Sequence, residues 1–322
     1  MRKIKWNNVF KKNIITGPVI ILFFMVVLFA IFIESFFEIS NISNIFRQSC
    51  MLALVSIGQT IAILMGGIDL SQGSVMGLVS VSAALIMANG VPIIPGIIMG
   101  LLIGLVCGLI NGWFIAYIKI PPFVATFGMF GMALGLGLVI TQERVVWGFP
   151  ETVRVIHDGE LVGIPAPIII VVVFYLLFYY LMHYTTYGTG LFAIGGKEDA
   201  AELSGIPTRF YKMLGYGISG IMAGAAGLMM MARMNSAQAI IGSGYEFEAI
   251  AATVLGGTVM SGGKEGKTLI GVLIIGILRN GLNLMGVNVY LQLVAIGSII
   301  ILAYIFEYLN YQRLSEEINE KF

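Results

Sequence analysis

Long, predominantly apolar runs separated by short polar segments set the pattern of this chain. Residues 14–33, 48–66, 92–118, 164–182 and 288–306 are apolar over about 17–27 positions each, the length an α-helix needs to cross about 30 Å of hydrocarbon. Adding the shorter, glycine-broken runs gives about ten predicted spans, at 14–36, 46–66, 73–89, 92–118, 123–142, 164–183, 212–234, 247–260, 268–285 and 288–306. The third and eighth have the least distinct boundaries, because their ends are rich in Gly and Ser. The expected fold is an all-α, polytopic membrane protein. A cytoplasmic segment over 1–13 precedes a transmembrane domain over 14–306, and a cytoplasmic tail follows over 307–322.

Composition supports the bilayer as solvent. Of 322 residues 58% are hydrophobic and only 11% charged, with a mean hydropathy of +0.95, more apolar surface than a soluble core of this size requires. Arg2, Lys3, Lys5, Lys11 and Lys12 precede the first run. That run exceeds the 7–15 residues of a signal peptide and no small-x-small cleavage site follows, so it reads as an uncleaved span. With the N-terminus inside, Lys119, Lys197, Arg209, Lys212, Lys264, Lys267, Arg313 and Lys321 join those five on the inner side, 13 of 18 basic residues. The positive-inside rule then places both termini in the cytoplasm. A formal net charge of +1 gives no sign of a nucleic-acid partner. Cys50 and Cys107 fall inside spans and read as packing residues, neither disulfide nor metal ligand. His157 and His183 read as isolated loop residues.

Gly266-Lys267-Thr268 supplies the last three positions of a nucleotide-binding loop, but Ser261 holds the place of its first glycine. The preceding "EAIAATVLGGTV" leads out of an apolar span, whereas a phosphate cradle needs a strand feeding a glycine turn. The expectation is a tight cytoplasmic turn and a chain without its own nucleotide motif, catalytic set or metal. "GGIDLS" (66–71) and "GGTVMS" (256–261) share a Gly-Gly-x-x-x-Ser frame, a weak echo of internal duplication. In the fourth span Gly96, Gly100, Gly104, Gly108 and Gly112 recur every fourth residue, and Gly220 and Gly224 repeat the spacing in the seventh. Such stripes let helices pack closely where lipid supplies no hydrophobic drive.

Polar residues within the spans are the candidates for function. Asp69 or Ser71 can cap the third span, or Asp69 can lie on a conduction path. Arg279, with Asn280 beside it and Asn283 a turn on, sits well inside the ninth span, with Glu246 or Glu248 as a partner. It either lines a pathway or locks two helices. In "GGKEDAAELSGIP" (195–207), Glu198 to Ser204 can form about two helical turns. Glu198 and Asp199 suit the helix dipole, Gly205 a left-handed cap, and Pro207 ends the element. With small Ala200 and Ala201 and a single Leu203, this helix presents a compact docking surface.

Here the chain resembles the membrane subunits of ribose-type carbohydrate importers of the ATP-binding-cassette class. "GGIDLSQGSVMGL" is similar to the family's signature after its second span. "AIGGKEDAAELSGI" is similar to its E-A-A-x-x-x-G coupling loop, with Asp199 where Glu is commoner and Ala200, Ala201 and Gly205 matching. "VLGGTVMSGGKEGKTLIGVLIIGILRNGLNLMGV" resembles its C-terminal stretch, and the likeness runs from about 40 to 306. The resemblance implies a homodimer in a bacterial cytoplasmic membrane. Two ATPase subunits, which carry the ATP and Mg, dock on helices over 197–206, and an external sugar-binding protein delivers a monosaccharide. The alternatives are the same architecture for a furanone signal or a nucleoside, or an ion-coupled secondary transporter.

Overall fold

The computed structural model describes residues 16–258, 262, 266–302 and 305. The two predicted terminal segments and Ser261 lie outside these residues. Helices dominate: α1 (Thr16–Phe32), α2 (Ile39–Leu64), α3 (Gln72–Ala88), α4 (Ile93–Ala116) and α5 (Pro122–Thr141) come first. After a short turn, α6 (Val155–Asp158), strands β1 (Glu160–Leu161) and β2 (Ile164–Pro165) form a small hairpin ahead of α7 (Ala166–Tyr184). Then follow α8 (Thr186–Gly196), α9 (Glu198–Leu203), α10 (Thr208–Met234), α11 (Tyr245–Leu255) and α12 (Thr268–Leu284). An apolar helix α13 (Val289–Leu302) comes last. Proline marks several starts, at Pro92, Pro121, Pro165 and Pro207, where its fixed φ and missing N–H cost nothing.

Five of these helices, α2, α4, α5, α7 and α10, are long and apolar enough to cross a membrane. The bundle is layered: 89% of the apolar window of α2 and 72% of that of α10 are buried, against 22% for α4 and α7. So α2 and α10 form the centre, with α4, α5 and α7 turning apolar faces outward. The α4–α10 seam is the glycine stripe. A Cβ on Gly104 would stand 2.4 Å from the Gly220 carbonyl oxygen and one on Gly108 2.1 Å from that of Tyr216, so the two backbones touch. Gly224 meets only ordinary van der Waals neighbours.

The third and eighth predicted spans differ from plain crossings. Gln72, the first residue of α3, donates to the carbonyl of Val55, nine residues back along α2 from its end at Leu64. At 1.5 Å per residue that is about 14 Å inside the bundle. Segment 65–71 therefore runs back inward as non-helical chain before α3 starts. From the opposite end, 235–244 does the same: Ala237 bridges Val146, and the Ala239 carbonyl packs on Gly77. α11 then starts inside the bundle and, with 11 residues, extends only about 16 Å. The two re-entrant segments meet where a Cβ on Gly73 would lie 2.4 Å from the Gly242 carbonyl oxygen, and one on Gly242 2.3 Å from that of Gly73. Irregular backbone at this depth is tolerated because it is buried in protein. Gly66–Gly67 follows the end of α2 as Gly256–Gly257 follows the end of α11, so the two halves of the sequence echo each lie just past a helix end.

Candidate pathway and coupling sites

The sequence-nominated residues separate into four places. Asp69, only 1% exposed, sits in the inward-running segment before α3. Its Oδ1 accepts from the Ser71 amide (3.0 Å) and hydroxyl (2.6 Å), and its Oδ2 from the Ser219 hydroxyl (2.7 Å). Asn111 donates to the Ser71 hydroxyl at 2.9 Å, and Gln72 to that of Ser219 at 2.8 Å. One carboxylate thus ties α2's return to α3, α4 and α10. Ser71 stands at the N-cap of α3 without a side-chain cap bond of its own, and Asp69 accepts from its amide, so both are tied into a buried hydrogen-bonded cluster.

Arg279 of α12 pairs with Glu248 of α11, its Nη1 lying 3.1 and 3.2 Å from the two carboxylate oxygens. The guanidinium also stands 5.8 Å from the Tyr245 ring centroid, within cation–π reach. These groups border a cavity of about 280 Å³ between α2, α10, α11 and α12. Asn283 lines the same cavity, its Oδ1 accepting from Gln292 at 2.7 Å. Of the two acids proposed for Arg279, then, Glu248 is the partner. Glu246 turns away, its Oε1 accepting from the Gly244 amide at 3.3 Å. Asn280 also leaves the cavity: it exchanges hydrogen bonds of 2.8 and 3.2 Å with Asn41 and fastens α12 to α2. Sequence reading did not single out Ser49 of α2 or nominate Arg233 of α10, which line the cavity too. Arg233 was visible as a second cation inside a span; Ser49 carried no signal.

The predicted helix at 198–204 is present as α9, with Gly205 at φ +83° behind it. Glu198 forms an ion pair with Lys212, which holds α9 against the start of α10. Leu203 is 90% exposed, and Asp199 and Ala200 are exposed beside it. Ala201 differs from expectation. It is 4% exposed and belongs to the core packed by Leu191 and Ile194, so it supports the helix from beneath and is not part of its outer face.

Among the described residues, the element that precedes Gly266-Lys267-Thr268 is the helix α11 with its Gly256–Gly257 turn. The Thr268 hydroxyl lies 2.8 Å from that of Thr60 in a buried contact with α2. Cys50 and Cys107 are buried free thiols. Among the described residues no three His, Cys, Asp or Glu gather in a way that could hold a metal ion. His157 is not isolated: its Nδ1 lies 2.9 Å from Asp158. That contact, and after it Arg154, hold the Asp158 carboxyl below its ordinary range.

A multi-helix membrane bundle with re-entrant half-helices and an exposed short helix at one end is the architecture of a transport permease. The chain belongs to the family described as branched-chain amino acid transport system / permease component, which matches residues 41–304. Among its relatives, the ribose import permease protein of Bacillus subtilis (strain 168) is 42% identical over 311 residues, covering 95% of each chain. The ribose import permease protein of Escherichia coli (strain K12) is 37% identical over 276 residues, 84% of this chain and 86% of the relative. The D-allose transport system permease protein of the same strain is 36% identical over 273 residues, 84% of each. No solved structure matches the chain. The protein is a multi-pass component of the cytoplasmic membrane.

Proposed function

We propose that the chain is the membrane subunit of an ATP-binding-cassette importer that passes a ribose-like monosaccharide across the cytoplasmic membrane. The observation that carries this is 42% identity to a ribose import permease over 95% of both chains. That the other relatives include an allose permease supports the monosaccharide class. Energy comes from a separate ATPase, and an extracytoplasmic binding protein supplies the sugar. Two copies of the chain complete the pathway, each contributing about ten membrane segments, with both termini and α9 on the cytoplasmic side. The eighth segment is completed by irregular chain, with α11 its helical half.

The ATPase docks on α9. The exposed Asp199, Ala200 and Leu203 give it a polar edge and one apolar knob, and Gly205 lets the chain turn back directly beneath. A six-residue helix is unstable alone in water; here its own core contact through Ala201 and the Glu198–Lys212 pair hold it ready. Within the bundle, Glu248, Arg279 and Asn283 border the route. Asp69, Ser71, Glu246 and Asn280 hold the framework around it.

The test is reconstitution of this chain with its ATPase and binding protein in vesicles. Labelled ribose should enter in an ATP-dependent manner. No uptake of ribose, allose or arabinose, in vesicles where the binding protein still stimulates ATP hydrolysis, would sink the sugar assignment while leaving the importer architecture intact.

A further inference from the structure

Resting on that functional reading, we infer that the binding protein docks on the outer loop 142–154 around Trp147, and that the bridge between Val146 and Ala237 carries its arrival to α11. Loop 142–154 runs from α5 to the segment that carries the β1–β2 hairpin, the outer end of the bundle on the proposed topology. Val146, Phe149 and Val153 are buried and fasten the loop to the bundle, while Trp147 is 71% exposed. An indole held rigidly in the open is the kind of side chain that protein interfaces use as a central anchor. Glu143, Arg144, Glu151 and Arg154 are exposed in the same loop, and charges of both signs suit the rim of a protein partner. Anionic lipid headgroups would meet the two acids.

The link to the interior follows from alternation along extended chain. Val146 is turned inward where Trp147 is turned outward, as successive residues of a strand are. The Val146 amide donates to the Ala237 carbonyl and the Ala237 amide to the Val146 carbonyl, each at 2.9 Å. A load placed on Trp147 therefore reaches the re-entrant segment 235–244 through one peptide unit.

That segment is built to shift as one piece. Its two ends are left-handed, at Asn235 (φ +48°) and Gly244 (φ +91°), and a few residues at the end of an element are where hinges form. Between them the Ala239 carbonyl bears on Gly77 and the Gly242 carbonyl on Gly73. These are contacts of backbone on backbone, with no long side chain between them to absorb a displacement. Gly244 is the N-cap of α11, so a displacement passes directly to Tyr245 and Glu248, which border the cavity. The surface a partner can reach is thus joined through backbone to the wall of the route.

The experiment titrates the full importer in lipid nanodiscs with ribose-loaded binding protein, and reads affinity separately from stimulation of ATP hydrolysis at saturation. Trp147→Ala should weaken affinity about ten- to thirtyfold, as loss of an interface anchor does, and regain full stimulation at saturation. Val146→Pro and Ala237→Pro each remove one N–H of the bridge. They should leave affinity and basal hydrolysis unchanged and lose most of the stimulation. A cysteine pair gives the converse and does not depend on a proline being tolerated. Residues that exchange both bonds lie about 5.5 Å apart at Cα, within disulfide range, so Val146→Cys with Ala237→Cys should cross-link and keep its stimulation. Stimulation lost on cross-linking and regained on reduction would mean that the bridge has to open, and would overturn the link. Normal stimulation in both proline variants would overturn it too, and unchanged affinity in Trp147→Ala would overturn the docking surface. Because Cys50 and Cys107 are buried, a polarity-sensitive dye on Trp147→Cys reports this loop. A dye signal that answers to phospholipid but not to binding protein would seat the loop in the headgroup layer and overturn docking as well. Failure of wild type to respond to binding protein loaded with any monosaccharide would instead remove the functional reading itself.

Discussion

Asp69 and Glu248 are both carboxylates buried in a membrane bundle, and they solve the burial problem in opposite ways. Asp69 has no cation beside it among the described residues: three hydrogen bonds from Ser71 and Ser219 enclose it, with Asn111 and Gln72 bonding those hydroxyls in turn. Glu248 has a cation, Arg279, and borders open space. The first is enclosed in a buried cluster, in which Gln72 Oε1 and Asn111 Oδ1 have no partner among the described residues. The second shares that space with Arg233, which has no ion pair among the described residues. A charge in a span is therefore not a uniform sign of function; what distinguishes the two is whether the carboxylate is enclosed by the bundle or borders a cavity.

Substitution at Asp69 should produce the largest effect. Asp69→Leu strands the Ser71 amide and two hydroxyls, at about 1–3 kcal/mol per unsatisfied group. It should lower the yield of folded protein and the melting temperature in detergent, and Asp69→Asn, which keeps an acceptor, should recover most of both. Normal melting of Asp69→Leu would mean the cluster is not structural.

Arg279→Leu comes next. It leaves Glu248 as an unpaired buried charge, a loss of about 3–5 kcal/mol, and it should abolish uptake. The double variant Arg279→Met with Glu248→Met should regain the melting temperature but not transport. Recovery of transport in the double variant would make the ion pair a mere clamp between α11 and α12, and the contrast with Asp69 would collapse.

Smaller and more local is α9. Leu203→Asp should weaken co-purification of the ATPase subunit and uncouple sugar-stimulated hydrolysis, with insertion unchanged. Gly205→Val forces a β-branched residue into φ +83°, which costs about 1–2 kcal/mol, and should have a similar but weaker outcome. Ala201→Trp would act through the core beneath α9 and lower stability; a normal melting curve with lost docking would return Ala201 to the outer face.

The smallest effect concerns the hairpin end. The His157 and Arg154 contacts depress Asp158, so whatever they contribute is present above the unfolded carboxylate range. It is lost as pH falls through the depressed value, below about 4. Fluorescence of exposed Trp147 nearby should stay constant from pH 8 to 5 and change only below that. A transition above pH 5 would mean that the Asp158 contacts are not its source.

Much of this fold was legible in the sequence, because long crossings announce themselves by length and apolarity: 92–118 became Ile93–Ala116. The glycine stripe and the helix at 198–204 were also readable, since close packing and capping leave local signatures. Depth was not. Apolar composition gives a segment's length and solvent but not where along the bundle it starts, so the inward runs before α3 and α11 looked like frayed ends of ordinary spans. Which way a side chain faces was equally hidden where the helix was too short for a periodic pattern, as at Ala201. The cavity could not be foreseen because it is assembled from four helices, and the partner of Asn280, Asn41, lies 239 residues away.

The contact of Gly73 with Gly242 has a consequence for how such a gene can drift. Every single-base change of a glycine codon that yields another residue adds at least a Cβ, and here each Cβ would enter the other residue's carbonyl. Because the collision is mutual, a second change at the partner site deepens the first instead of repairing it. No two-step route leads out of this pair, so the two codons are frozen together while the lipid-facing positions around them are free to wander.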